Sequence, residues 1–179
     1  YSSAKYASEF LARAGALEGQ FHLYITRAFN HTGVGQSRLF AVPNFIHQAL
    51  RYRKGLTTTP LGNLNTYRDL SDVRDITKGY RMILEQGEPF EVYHLSSGTA
   101  SSMRSVLNLV CNHVGIPEEA LSSSPDRGFE DMLMLCGNSA KAEALGWKAR
   151  YCLEDTIGWM VEAAEREPRD SLYTHVQAG

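Results

Sequence analysis

The 179-residue chain, with a formal net charge of −2, has the length of one domain or one lobe of a larger one, and no basic excess to attract nucleic acid or an anionic membrane. Its 43% apolar and 21% charged shares are those of an ordinary folded domain, and no apolar run approaches the ~18 residues that would cross a bilayer. Neither nucleic acid nor membrane is therefore an expected partner.

In chain order, residues 1–18 pattern as an amphipathic helix, with Tyr6, Phe10, Leu11 and Ala14 recurring at helical spacing and Gly15 and Gly19 marking its end. At its start stands Tyr1-x-x-x-Lys5. Four residues apart on a helix, the phenol and the ammonium share a face. A phenol titrates near ~10, and a fixed positive charge beside it favours the phenolate and lowers that value. The pair is a workable acid and base toward a carbinol oxygen; taken alone, the same spacing also suits a solvated helix face.

Residues 21–27 alternate as a strand, and a helix feeding a strand through a short connection is half of an α/β unit. The loop Arg27-Ala28-Phe29-Asn30-His31-Thr32-Gly33-Val34-Gly35-Gln36 follows at the carboxyl end of that strand, where open α/β sheets place ligands. It supplies hydrogen-bond donors and close backbone approach, although its composition also fits an ordinary Gly-rich turn. A second helix covers 40–53, with Pro43 tolerated in its first turn. After a Thr-rich connection, 67–70 read as a short strand, and Ser71 or Asp72 caps a helix running to Gln86 and stopped by Gly87. Arg68, on a strand beside a helix start, suits bidentate capture of a phosphate; the competing reading is an ion pair with Asp69 or Asp72.

Residues 90–95 form the next strand and end in the polar turn Ser96-Ser97-Gly98; 102–114 form a helix ending at Gly115. The chain is irregular over 117–125, and Arg127-Gly128-Phe129-Glu130-Asp131 leads into an extended 132–135. Asn138 is the expected cap of a short helix to Leu145, Gly146 closes it, Trp147 anchors the turn, and 153–165 form the last helix before a tail over 168–179. Cys111, Cys136 and Cys152 are an odd, widely spaced set, read as buried free thiols in a reducing compartment rather than a disulfide framework. The six histidines lack metal-ligand spacing and read as structural or exposed, and no metal is expected. The first residues carry neither the basic start nor the apolar core of a signal peptide, and a cytoplasmic location is the expectation.

Taken together, Tyr1-x-x-x-Lys5, Arg27-x-Phe29-Asn30-His31-Thr32-Gly33-x-Gly35-Gln36, Val42-Pro43, Gly62-Asn63-Leu64, Arg68-Asp69-x-x-Asp72-Val73-Arg74-Asp75 and Lys141-x-x-x-Leu145-Gly146-Trp147 resemble, in order and spacing over about residues 1–165, the extended short-chain dehydrogenase/reductases that act on nucleotide sugars. Within them the likeness is to the GDP-mannose branch: the GDP-4-keto-6-deoxymannose reductases, with the GDP-mannose 4,6-dehydratases as near neighbours. The resemblance implies an α/β fold, the C-terminal part of a Rossmann-type enzyme with its small substrate-binding lobe. It implies Tyr1 as catalytic acid and base, and Lys5 as the group that lowers the Tyr1 pKa and bonds the nicotinamide ribose of NAD or NADP. It further implies Asn30 at the diphosphate, Val42 and Pro43 at the start of the helix lining the nucleotide cleft, and Gly62, Asn63 and Leu64 passing the base. Arg68 and Arg127 match the arginines that clamp the diphosphate, although Arg127 also fits a loop surface charge. The implied reaction is hydride transfer at the sugar C4 of a GDP-sugar, in a homodimer built through helices that include the Tyr-x-x-x-Lys helix.

The chain departs from the family pattern in lacking the Gly-x-x-Gly-x-x-Gly dinucleotide fingerprint and the Ser or Thr that partners the Tyr, both of which lie upstream of it in the family. Gly33-x-Gly35 does not replace the fingerprint, because no downstream acidic residue completes its context. Residues 1–167 are therefore expected to be the C-terminal half of a longer enzyme that needs an N-terminal dinucleotide-binding half. A non-catalytic nucleotide-sugar-binding module is the alternative from another class; retention of Tyr1 and Lys5 favours the enzyme. Smaller departures are Val34 for Pro, Asn138 for Asp, and Cys152 for the Ser that usually caps the last helix.

Overall fold

The structure, a computed structural model, describes residues 2–19, 21–123 and 133–167; Tyr1, Arg127 and the 168–179 tail lie outside the described residues. Helix α1 (Ser2–Leu17) buries Ala16 and leaves Tyr6, Phe10 and Leu11 exposed. Strand β1 (Ile25–Ala28) is shorter than the 21–27 alternation: its residues pair in parallel with β5 (Val92–Leu95), Ile25 opposite Val92 and Ala28 opposite Leu95, while ahead of it Leu23 O accepts from Phe90 N at 2.9 Å outside the ladder. The start of β5 is set by Phe90, whose φ of +66° leaves the extended region.

Within the loop after β1 lies an unexpected short strand, β2 (His31–Thr32), paired in parallel with β4 (Ser71–Asp72). The central strand of the third sheet is β3 (Tyr67–Asp69), antiparallel to β6 (Ala100–Ser102) and parallel to β7 (Met134–Leu135). Two- and three-residue strands show no sequence period, so β2 and β6 are found only through their partners.

The remaining helices are α2 (Ala41–Arg53), α3 (Val73–Gln86), α4 (Met103–Val114), α5 (Ala140–Ala144) and α6 (Leu153–Arg166). Ser102 caps α4 by accepting from Ser105 N at 3.0 Å, and Gly115, at φ +77°, ends it. The cap position of α5 is Ser139, one residue later than expected, with its hydroxyl bonded to Ser96 at 2.8 Å; the Asn138 carboxamide oxygen instead accepts from Ala140 N at 2.9 Å. Cys152 caps α6 through a thiol contact of 3.4 Å to Asp155 N. Of the cysteines, Cys111 is buried whereas Cys136 and Cys152 are exposed, which corrects the expectation that all three thiols are buried. Burial pushes the Cys111 thiol up to about 11, with the Glu118 and Glu119 charges adding to the shift.

Two cores result. In the first, Phe45, Leu50, Leu107, Val110 and Ile157 join α2, α4 and α6; in the second, Ile76, Ile83, Tyr93, Leu95 and Trp147 set α3 on the β1–β5 pair. Gly79 permits the second contact, since a Cβ there would lie 2.6 Å from Leu95 Cδ1 and 2.8 Å from Trp147 Nε1.

The link between the cores is the run Asp72-Val73-Arg74-Asp75. The buried Asp72 carboxylate caps α3 by accepting from Arg74 N at 2.7 Å, takes Arg74 Nε and Nη2 at 2.9 and 2.7 Å, and takes Thr156 Oγ1 of α6 at 2.8 Å. The Arg74 guanidinium lies 3.7 Å from the Tyr151 ring centre and 4.0 Å from that of Trp159. Asp75 accepts from Arg150 N and Tyr151 N at 2.6 and 3.0 Å, and its carbonyl takes Trp147 Nε1 at 3.0 Å. Burial on its own would raise the Asp72 carboxyl, but the hydrogen bonds from Arg74 and Thr156 outweigh it and hold it below the usual carboxylate range.

Because its folded-state pKa is lowered, Asp72 stabilises the fold fully above its unfolded value near ~3.9, and the contribution fades as pH falls through the lower folded value. At neutral pH, Asp72→Ala should cost roughly 3–5 kcal/mol, the cost of stranding one partner of a buried ion pair, read from urea midpoints. Asp72→Asn should flatten the loss of stability as pH falls below about 4; an unchanged slope would show that this carboxylate is not the group titrating.

Candidate functional site

Strand pairing delivers the site. Because Ser71 N donates to Asn30 O at 2.9 Å and β2 is paired with β4, the backbone after β1 is pinned beside the start of α2. Inside the loop, Thr32 Oγ1 donates to Gln36 Oε1 at 2.7 Å and Gln36 Nε2 to His31 O at 3.1 Å. Gly33 is pressed on α3, where an added Cβ would collide with Val73 and lie 3.3 Å from Trp159. The loop is a tied turn, not a loose one.

A cleft of about 370 Å³ opens between this turn, the start of α2 and the 62–68 segment, a volume suited to a small-molecule ligand. Asn30, Val42, Gly62, Asn63 and Arg68 all line it, and Val42 and Phe45 supply apolar wall. Asn63 Oδ1 accepts from Asn65 N at 2.8 Å, whereas its Nδ2 is buried with no hydrogen-bond partner among the described residues. A buried amide donor left unmade is costly. Pro43 is buried on another side of α2, beside Gly33 and Met160. The Leu64 side chain belongs to the first core, with its carbonyl accepting from Arg104 N at 3.1 Å.

Arg68 sits on β3 at the cleft, with Nη1 donating to Tyr67 O at 2.8 Å. The acids expected to compete for it are engaged by other groups. Asp69, fully buried, takes Ser97 Oγ at 2.6 Å, Ser97 N at 2.8 Å, Gly98 N at 3.0 Å and Gly137 N at 3.1 Å. Asp72 serves the Arg74–Thr156 clamp. Asp69 therefore fixes the strand that carries Arg68 by tying the 96–98 turn and the 136–137 segment to it.

Lys5 lies elsewhere, on a cleft of about 870 Å³ between α1 and β1. Polar links hold α1 there: Arg27 Nε and Nη2 donate to Glu9 at 3.0 and 2.9 Å, and Arg13, itself paired with Glu9, donates to Phe90 O at 3.0 Å. Burial raises the Glu9 carboxyl, but Arg27 and then Arg13 outweigh it and hold it below the usual range. His31, which sequence reasoning passed over as one of six scattered histidines, lines both clefts as well as a third of about 590 Å³. Its position in the Asn30-His31-Thr32-Gly33 loop was the signal available. Tyr1 and Arg127, outside the described residues, belong to neither description.

The architecture is that of the extended short-chain dehydrogenases. The RMD protein of Pseudomonas aeruginosa, solved with NADPH, superposes with a TM-score of 0.84 at 25% identity over 92% of this chain and 56% of that one. A dTDP-glucose 4,6-dehydratase of Streptomyces venezuelae, solved with NAD, matches in fold at 0.81 and 23% identity over 93% of this chain and 51% of its own. A family model described as GDP-mannose 4,6 dehydratase matches residues 1–160, and the chain belongs to that family. Among curated relatives, the GDP-6-deoxy-D-mannose reductase of Pseudomonas aeruginosa is 24% identical over 95% of this chain and 57% of its own length. The GDP-mannose 4,6-dehydratase sdnI of Sordaria araneosa is 28% identical over 79% and 30%. The chain spans about half the length of the curated relatives it matches. Among the described residues, no helix is long and apolar enough to cross a membrane.

Since α1 is held by polar links more than by burial, Glu9→Gln should release it selectively. We expect amide exchange over 2–17 to speed up roughly fivefold, for about 1 kcal/mol of lost ion pairing, with α2 and α4 unchanged. Uniform acceleration across all helices would show that Glu9 supports the whole fold instead.

Proposed function

We propose that this chain carries the nucleotide-sugar-binding part of an NAD(P)-dependent GDP-sugar oxidoreductase, together with its acid–base helix, and that the reaction is reduction at C4 of a GDP-4-keto-6-deoxy sugar. The observation that carries this reading is the single cleft lined by Arg68, by Asn63, whose buried Nδ2 has no hydrogen-bond partner among the described residues, and by the apolar Val42 and Phe45. A planar cation and a buried amide donor suit the anionic and carbonyl acceptors of a nucleoside diphosphate. Arg127 is assigned by the family pattern as a second clamp on the diphosphate, Asn30 as a further contact, and the 62–64 segment as the path beside the base. The family description and the reductase relative support the GDP-sugar choice.

The cleft beside Lys5 fits the ribose end of a nicotinamide dinucleotide: an ammonium and serine hydroxyls stand on it next to a parallel strand. The cofactor, when bound, supplies the hydride that adds to the C4 carbonyl carbon. Tyr1 gives its phenolic proton to the C4 oxygen as the alcohol forms, and Lys5, four residues on in the sequence, favours the phenolate that results. The rest of the dinucleotide needs residues beyond these, which an N-terminal half would provide. The exposed Tyr6, Phe10 and Leu11 support a homodimer through α1. Dehydration of GDP-mannose is the second reading, favoured by the family description and by the sdnI relative.

Calorimetry with GDP-mannose and UDP-glucose tests the cleft. GDP-mannose should bind the chain more tightly than UDP-glucose, and Arg68→Ala should weaken it roughly ten- to a hundredfold, as for loss of hydrogen bonds to a charged group. An unchanged affinity in the variant, or no binding to a folded sample, would contradict the assignment.

A further inference from the structure

Arg68 is placed by a strand too short to fix its own register by pattern. β3 has three residues, and its neighbours β6 and β7 have three and two. Successive side chains of a strand point to opposite faces, so a slip of one residue would turn Arg68 away from its cleft and bring Asp69 onto it. The Asp69 carboxylate opposes that slip. It is fully buried and outside the lining of the Arg68 cleft. Oδ1 accepts from Ser97 N and Ser97 Oγ at 2.8 and 2.6 Å, and Oδ2 from Gly98 N and Gly137 N at 3.0 and 3.1 Å. A slipped carboxylate would lose these donors, and a buried charge without them is costly.

The donors belong to one support, assembled without Asp69. Ser139 Oγ accepts from Ser96 N at 2.9 Å and donates to Ser96 O at 2.9 Å, which joins the turn after β5 to the segment after β7. Gly137 is pressed into that junction, where an added Cβ would lie 2.5 Å from Ser96 and 2.8 Å from Phe29 Cδ2. The segment gripped through Gly137 runs back through β7 to Leu133. Arg68 Nη1 donates to Tyr67 O at 2.8 Å and lies 3.5 Å from Leu133 O. The guanidinium therefore stands where the β3–β7 register puts these carbonyls, and Asp69 holds both strands of that register. We propose that Asp69 is a positioning residue for the anionic part of the ligand: without touching it, Asp69 sets through β3 and β7 where the Arg68 guanidinium meets it. This inference rests on the nucleotide-sugar reading of the cleft.

Calorimetry with GDP on the wild-type chain, Asp69→Asn, Arg68→Ala and the double variant tests it. Asparagine keeps the shape but puts an NH2 group where backbone donors point. Asp69→Asn should therefore weaken GDP binding roughly fivefold, less than the roughly ten- to hundredfold of Arg68→Ala. In the Arg68→Ala background the same change should alter GDP affinity by less than about twofold, because the group it places is gone. A residue that merely supports the fold would weaken GDP by one factor in both backgrounds. That result overturns the proposal, as does an unchanged affinity in Asp69→Asn. Amide exchange over α2 and α4 at wild-type rates shows that a variant has folded. If Asp69→Asn does not fold, Ser97→Ala, which removes only the Ser97 Oγ bond, takes its place in the cycle. It should weaken GDP roughly two- to threefold with Arg68 present and not without it; equal effects, or none, overturn the proposal. Failure of the folded wild type to bind GDP overturns the nucleotide-sugar reading, and the Asp69 inference falls with it.

Discussion

The buried Asp72 carboxylate is the constraint on which the site depends. A charge out of water is tolerated only when its hydrogen-bonding capacity is filled, and here Arg74 and Thr156 fill it. Three consequences follow from one side chain. Helix α3 starts at Val73, α6 is tied to that start through Thr156, and β4 is held where it can pair with β2. The last of these puts Asn30 and His31 on the cleft, so the register of a two-residue strand pair decides where the polar groups of the site stand. Arg74, between Tyr151 and Trp159, closes the clamp with an aromatic sandwich that Lys could not reproduce.

The two sides of the site are held by different physics. The Arg68–Asn63 side rests on α2 and α4, which share the apolar core that includes Phe45, Leu107 and Val110, and on a strand fixed by the fully bonded Asp69. The Lys5 side hangs from α1, which buries only Ala16 among its described residues and is attached through Glu9, Arg13 and Arg27. A cleft wall built into a core and a helix attached by ion pairs are expected to differ in mobility. His31, tied by backbone pairing, lines the clefts on both sides.

Long helices were legible because their periodicity and ends agree: Asp72 caps α3 and Gly115 ends α4 as their residue types predict. Strands were less legible, since their limits belong to the partner. Phe21 alternates correctly with its neighbours, yet β1 begins at Ile25, where Val92 is available. The Asp-Val-Arg-Asp run read as a family signature, but its work is to bind Thr156, 84 residues away, and no local spacing shows that. Of the sequence-derived site residues, Asn30, Val42, Gly62, Asn63 and Arg68 share one cleft. Pro43 does not, because adjacent residues on a helix point about 100° apart, and Leu64 packs into the core as its apolar side chain demands. The place of His31 was hidden because sequence does not show that three clefts share one residue.

The most direct test of the account is hydrogen exchange across the chain with and without GDP-mannose. The account predicts slowed exchange over 30–32 and 62–68, the segments that line the Arg68 cleft, with α6 unaffected. Protection confined to α6 and the Pro43 side of α2, or absent throughout at saturating ligand, would contradict it.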